Sequence, residues 1–146
     1  MRKLVVDASV AVKWFIPEPH SGDSLRFLER DWSLLAPDLI FSEFGNILWK
    51  KLQKGEIKAI EARGIIADFM EVPIVIYPST SLMGDAWSIA EKSLRSFYDS
   101  LYLALARIQG CPLVTADRKL YEALKNGPLR KNILWVENVP DRLFSF

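Results

Sequence analysis

Short apolar runs alternate along this chain with stretches whose apolar residues recur every three to four positions. Leu4-Val5-Val6 is β-branched and predicts a fully buried strand. Residues 9–16 follow as a short helix, stopped by Pro17 and Pro19. Residues 22–32 read as helical, and Ser33 to Ala36 as a second strand before Pro37. Asp38 opens a long helix that runs to about Lys54 and is closed by Gly55. Ile40, Phe41, Phe44, Ile47, Leu48 and Leu52 form its apolar stripe. A helix over residues 56–71 ends before Pro73, and Ile74-Val75-Ile76 is a third strand. Residues 80–95 are helical, with Leu82, Ala86, Ile89, Ala90 and Leu94 on one face. Residues 98–109 are apolar nearly all round, which predicts a buried central helix ended by Gly110. Leu113-Val114-Thr115 is a fourth strand, residues 117–126 a helix, and Ile133 to Val136 a last strand.

Short apolar strands separated by helices predict an α/β domain around a mostly parallel sheet. Without repeats, low-complexity segments or a dividing linker, the 146 residues read as one domain, 1–146. Half of them are hydrophobic and a quarter charged, a balance that supports a packed core. In such sheets ligands collect at the carboxyl ends of the strands, so the residues there are the chemical candidates.

Charge and residue counts narrow the chemistry. Lys and Arg number 19 against 18 Asp and Glu, which excludes a uniformly basic nucleic-acid coat. Any attraction for nucleic acid must come from a local strip. One Cys excludes a disulfide framework and a Cys-based metal site, and one His excludes a two-His zinc motif. No apolar run approaches the roughly 18 residues of a membrane span. The N-terminus reaches Asp7 without a signal-peptide core. The expectation is a cytoplasmic protein with no membrane partner.

The candidates at the strand ends are acids. Asp7 directly follows the first strand, and Asp117 sits two residues past Thr115. Asp99 stands at the start of the apolar helix, and Glu43 in the first turns of the long one. Taken singly, an Asp at a helix start is ordinarily a cap for the free backbone amides. Glu43, however, shares a side with Ile40 and Ile47 on the border of the apolar stripe. Asp99 begins a helix with no polar face on which to shed an acid. No matching set of cations stands beside these carboxylates in sequence. Unpaired buried charge is costly, and a divalent ion resolves it. Carboxylates without His or Cys select a hard ion, Mg²⁺ or Mn²⁺, which suits phosphodiester hydrolysis. Spacing leaves open whether one ion or two are held.

At these positions the chain resembles the PIN-domain ribonucleases, and most of all the VapC-like toxins of toxin–antitoxin modules. The segments that carry the resemblance are Val5-Val6-Asp7-Ala8-Ser9-Val10-Ala11-Val12-Lys13-Trp14-Phe15 and Ser42-Glu43-Phe44-Gly45-Asn46-Ile47-Leu48. Phe97-Tyr98-Asp99-Ser100-Leu101-Tyr102-Leu103-Ala104-Leu105-Ala106 and Leu113-Val114-Thr115-Ala116-Asp117 follow in the same order. The resemblance implies a three-layer α/β/α sandwich around a mostly parallel sheet of about five strands. It implies Asp7, Glu43, Asp99 and Asp117 as an acidic quartet. In it Asp7 and Asp99 bind Mg²⁺ or Mn²⁺ directly, and Glu43 and Asp117 bind directly or through water. Ser9 and Thr115 match positions that support the site by hydrogen bonding. The resemblance also implies an RNA substrate, a small cognate antitoxin and a homodimer.

Other residues admit an ordinary and a functional reading. Lys50 and Lys54 lie seven and eleven residues after Glu43, on its side of the helix, and Lys13 and Arg118 closely follow Asp7 and Asp117. All could meet RNA phosphates; the ordinary reading is a solvated face. Trp14 and Trp49 are candidates for base stacking, Cys111 reads as a buried inert thiol, and His20 as a surface residue of a Pro-bounded loop. The apolar tail Leu143-Phe144-Ser145-Phe146 is expected to pack on its own domain or on a second subunit. Two rival functions are weighed against the nuclease. A phosphotransferase would need an Asp nucleophile and ordinarily an Asp-x-Asp after the first strand, where residue 9 is Ser. A non-catalytic RNA- or protein-binding module would not need all four acids.

Overall fold

The computed structural model describes residues 2–28 and 31–139. Five strands form one sheet: β1 (Arg2–Val6), β2 (Trp32–Pro37), β3 (Ile74–Tyr77), β4 (Leu113–Thr115) and β5 (Ile133–Trp135). Their order is β3-β2-β1-β4-β5 and every pairing is parallel. Successive strand residues point to opposite faces. Val5 and Val6 are both fully buried, as are Leu35 and Ala36 to within 2 %. Both faces of the sheet are therefore covered by helices, which makes three α/β/α layers.

The helices are α1 (Ala8–Ala11), α2 (Ser21–Leu25), α3 (Leu39–Gln53), α4 (Ala59–Met70), α5 (Met83–Ser93), α6 (Phe97–Gln109) and α7 (Arg118–Leu124). Among them α6 is the central one: Ser100 to Ala106 are all buried, and it packs against α5, β1 and β2. Gly110 ends it at φ 64°, and Gly55 follows α3 at φ 74°. Both supply the left-handed turn that releases a helix end. On α3 the buried positions are Ile40, Phe44 and Leu48. Phe44 stacks on Phe69 of α4 with ring centroids 3.9 Å apart, fixing the two helices against each other. None of the helices among the described residues is long and apolar enough to cross a membrane.

Several expectations need correction. The helix expected over 22–32 does not extend that far: α2 gives way to a 3₁₀ turn at Arg26–Leu28, and Trp32 begins β2. The sheet claims Trp32 because it pairs with Arg2, and that register outweighs the local helical pattern. The first helix is only α1, continued by a 3₁₀ turn over Val12–Trp14. Phe41 and Leu94 lie outside the buried stripes: Phe41 packs edge-on against Phe69 at the surface, and Leu94 is exposed at the left-handed end of α5. The last strand ends at Trp135, and Val136 begins a 3₁₀ turn. The apolar tail, residues 143–146, lies outside the described residues.

Candidate active site

The strand order fixes where a site can form. The strands β2 and β3 lie on one side of β1, and β4 and β5 on the other. The winding of the chain across the sheet therefore reverses between β1 and β4, and a crevice opens there beyond the carboxyl ends of the strands. A cleft of about 220 Å³ is lined by Asp7, Glu43, Asn46, Asp99, Tyr102 and Asp117, among others. The four acids, far apart in sequence, meet in this one cleft.

Asp7 is held most tightly. It caps α1, accepting from the Val10 N–H through Oδ1 at 3.1 Å. The Ser9 hydroxyl donates to the same oxygen at 2.5 Å, and Thr115 Oγ1 donates to Oδ2 at 2.8 Å. Thr115 Oγ1 in turn accepts from the Asp117 N–H at 3.0 Å, and Ser9 Oγ from the Ala116 N–H at 3.3 Å. This relay ties the end of β1 to the end of β4. Burial raises the Asp7 carboxyl to about 6; the three hydrogen bonds oppose the rise and the charge of Glu43 adds to it.

The capping explanation holds for some of the acids and fails for another. Asp117 caps α7, its Oδ1 accepting from the Lys119 and Leu120 N–H groups. Asp99 does not cap α6, because Ser96 does, accepting from the Asp99 N–H at 3.0 Å. Asp99 is half-buried, and burial and then the charge of Asp117 hold its carboxyl above the ordinary value against Ser96 and Arg95. Glu43 is also held above its ordinary value by burial. The Tyr102 hydroxyl, donating to Oε1 at 2.6 Å, opposes that rise, and the charge of Asp99 adds to it.

Like charge thus accumulates in a cleft where no ion pair among the described residues reaches any of the four carboxylates. The donors are all hard oxygens, which suits Mg²⁺ or Mn²⁺. Among the described residues, the group whose ligand atoms lie within 4.8 Å of one another is His20, Asp23 and Glu137, not the quartet. Mg²⁺ is ordinarily held by one or two carboxylates and keeps several waters, so it does not require all four oxygens within that distance. His20, Asp23 and Glu137 do not line the cleft; His20 packs edge-on against Trp135, and Glu137 accepts from the Trp135 indole N–H.

The four cations considered for RNA fare differently. Lys50 and Lys54 are exposed. Arg118 lies 3.9 Å over the Trp135 ring and 3.5 Å from Glu122, yet remains largely exposed. Lys13 is engaged: it pairs with Glu18 at 3.1 Å, and Lys51 reaches the other Glu18 oxygen at 2.6 Å. Trp14 is buried with its indole N–H on the Ser24 carbonyl, a structural role, whereas Trp49 is 56 % exposed. Cys111 is buried, and burial raises its thiol.

Burial works against ionisation of Glu18, but Lys51 and Lys13 overcome it and hold the carboxyl below its ordinary value of 4.5. A lowered carboxyl stabilises the fold above the ordinary value, and the effect is lost as pH falls through the lowered one. Glu18→Gln is therefore expected to cost about 1 kcal/mol at pH 7, measured by urea unfolding. The difference from the parent should shrink steadily as pH falls below 4.5, through the lowered carboxyl value; a gap that does not shrink on acidification would contradict the ion-pair origin.

Two further polar residues of the cleft, Asn46 and Tyr102, are not marked by the strand-end pattern that picks out the acids. Each follows an acid by three residues and so shares its side of a helix, Asn46 after Glu43 and Tyr102 after Asp99. That spacing was the available signal. Tyr102 was masked by the all-round apolar composition of its helix.

Residues 4–125 match the family model of the PIN domain. This chain belongs to the PIN-domain family. The PIN domain is 33% identical over 122 residues to Ribonuclease VapC3 of Pyrobaculum aerophilum, covering 82% of this chain and 93% of that protein. Its fold is also that of a Pyrobaculum aerophilum protein of known crystal structure, with a TM-score of 0.69 and 24% identity over 93% of this chain and 85% of that one. A toxin–antitoxin complex from Klebsiella pneumoniae contains a similar fold, with a TM-score of 0.59 and 12% identity over 90% of this chain and 95% of that one.

Proposed function

We propose that this PIN domain is a metal-dependent endoribonuclease that hydrolyses RNA phosphodiester bonds as the toxin of a toxin–antitoxin module. The observation that carries the reading is the convergence of Asp7, Glu43, Asp99 and Asp117 on one cleft at the switch point of the sheet, without paired cations. The ribonuclease name of the VapC3 relative supports the activity. The Klebsiella pneumoniae complex supports a small cognate antitoxin as partner. The same reading includes a homodimer acting in the cytoplasm.

Asp7 and Asp99 would hold Mg²⁺ or Mn²⁺ directly, and Glu43 and Asp117 would do so directly or through water. When bound, the ion supplies Lewis-acid stabilisation of charge on the scissile phosphate and activation of the attacking water. The relay from Ser9 and Thr115 holds the Asp7 carboxylate in place for that task. The exposed Lys50 and Lys54 and the largely exposed Arg118 draw the RNA backbone toward the cleft. Lys13, already paired with Glu18, contributes least to RNA binding. An aspartyl-phosphate enzyme is disfavoured, because the residue two after Asp7 is Ser9, whose hydroxyl hydrogen-bonds the Asp7 carboxylate.

The test is incubation of purified, antitoxin-free protein with structured RNA in Mg²⁺, in Mn²⁺ and in EDTA. Cleavage with either ion and none in EDTA is expected. Cleavage indifferent to EDTA would remove the metal from the mechanism. Undiminished RNA binding in EDTA, with no cleavage under any condition, would make the protein a binding module.

A further inference from the structure

Glu43 presents a problem that the quartet alone does not solve. It sits on α3, an element separate from the strand ends that fix Asp7 and Asp117, and its side chain has three rotatable bonds. Among the described residues it makes no ion pair. Its carboxylate would be free to turn away from Asp99, whose charge repels it. One hydrogen bond prevents this: the Tyr102 hydroxyl donates to Oε1 at 2.6 Å.

Tyr102 is well placed to act as a fixed arm. It is 3 % exposed, and its ring belongs to the hydrophobic core. It lies one turn after Asp99, so the same helix that presents Asp99 also presents the group that holds Glu43. The hydroxyl therefore ties α6 to α3 by its donation to Glu43.

We propose that Tyr102 is a positioning residue of the site, which fixes the Glu43 carboxylate in the metal-binding cleft through its hydroxyl. This rests on the reading of the cleft as a divalent-metal site. Such hydrogen bonds to ligating carboxylates orient the ligand, and their loss typically costs 10- to 100-fold in metal affinity or activity.

The experiment is a double-mutant cycle on Mn²⁺ affinity, measured by calorimetry or electron paramagnetic resonance on the full chain, with cleavage kinetics alongside. Tyr102→Phe keeps the ring and its packing, so the thermal midpoint should stay close to that of the parent. Its Mn²⁺ affinity is expected to fall roughly 10- to 100-fold, and kcat with it, while KM for RNA stays within about twofold. In a Glu43→Gln background, Tyr102→Phe should add less than about twofold, because the hydroxyl acts only through the carboxylate. Parental Mn²⁺ affinity in Tyr102→Phe, or two losses that simply multiply, would overturn the proposal. Glu43→Gln with parental Mn²⁺ affinity and cleavage would instead overturn the assignment of Glu43 to the metal site.

Discussion

Asp99→Asn is expected to lower metal-dependent RNA cleavage by roughly three orders of magnitude while leaving the fold unchanged. The stability half of the expectation follows from the capping geometry. Ser96, not Asp99, accepts the free amide at the start of α6, so the substitution removes no cap. Burial and the charge of Asp117 already disfavour the ionised form of Asp99, so a neutral side chain of the same shape relieves repulsion. The activity half follows from the donor set. Asn keeps one oxygen but loses the negative charge that binds a hard divalent ion. The ion's stabilisation of charge in the transition state is worth several kcal/mol. At ~1.4 kcal/mol per factor of ten, that gives a loss of about 10³. Single-turnover cleavage at saturating Mn²⁺, with the thermal midpoint measured beside it, checks both halves. Parental activity in the purified variant would end the proposed mechanism; lost activity accompanied by a collapsed midpoint would end the claim that Asp99 has no structural duty.

The elements of this fold were legible wherever local pattern and long-range pairing agree. The β-branched run at Val5 and Val6, the heavily apolar 98–109 segment and the glycines at 55 and 110 all carry their structure in their composition. The failures fall where a distant partner decides. Trp32 looks helical beside its neighbours, yet Arg2 of β1 pairs it into the sheet. Leu94 fits an apolar stripe but stands at the left-handed end of α5, where the stripe has already left the core. The candidate site divides in the same way. The acids were readable because strand ends and helix starts are positions with known chemistry. Lys13 was readable as a cation but not as one already paired with Glu18, whose carboxylate Lys51 of α3 also reaches in the fold. Tyr102 could not be assigned to Glu43, 59 residues away, because nothing local joins α6 to α3.

The second large effect is expected in the metal-free protein: Asp7→Asn should stabilise it at neutral pH even as it abolishes cleavage. Asp7 is buried, with a carboxyl raised from 3.8 to about 6. At ~1.4 kcal/mol per factor of ten, that rise makes the ionised carboxylate destabilising by roughly 3 kcal/mol at pH 7. The sign is that of a raised carboxyl. The stability it contributes is fully present below pH ~3.8 and is lost as pH rises toward 6. Asn removes this loss but does not match the whole hydrogen-bond set. Val10, Ser9 and Thr115 all donate to the carboxylate, and an amide that itself donates leaves one of them unmatched, at about 1 kcal/mol. The net expectation is a variant about 2 kcal/mol more stable than the parent in EDTA at pH 7, its advantage shrinking to nothing or reversing by pH ~4. Divalent ion should invert the comparison, because a ligand that binds only the folded parent stabilises only the parent. Urea unfolding of both proteins from pH 4 to 8, with EDTA and then with Mn²⁺, reads all of this. A gap independent of pH, or a parent more stable than the variant in EDTA at pH 7, would mean that the Ser9 and Thr115 relay already neutralises the cost of the buried charge. The expected result would instead show a fold that tolerates a destabilising carboxylate because its ligand needs one there.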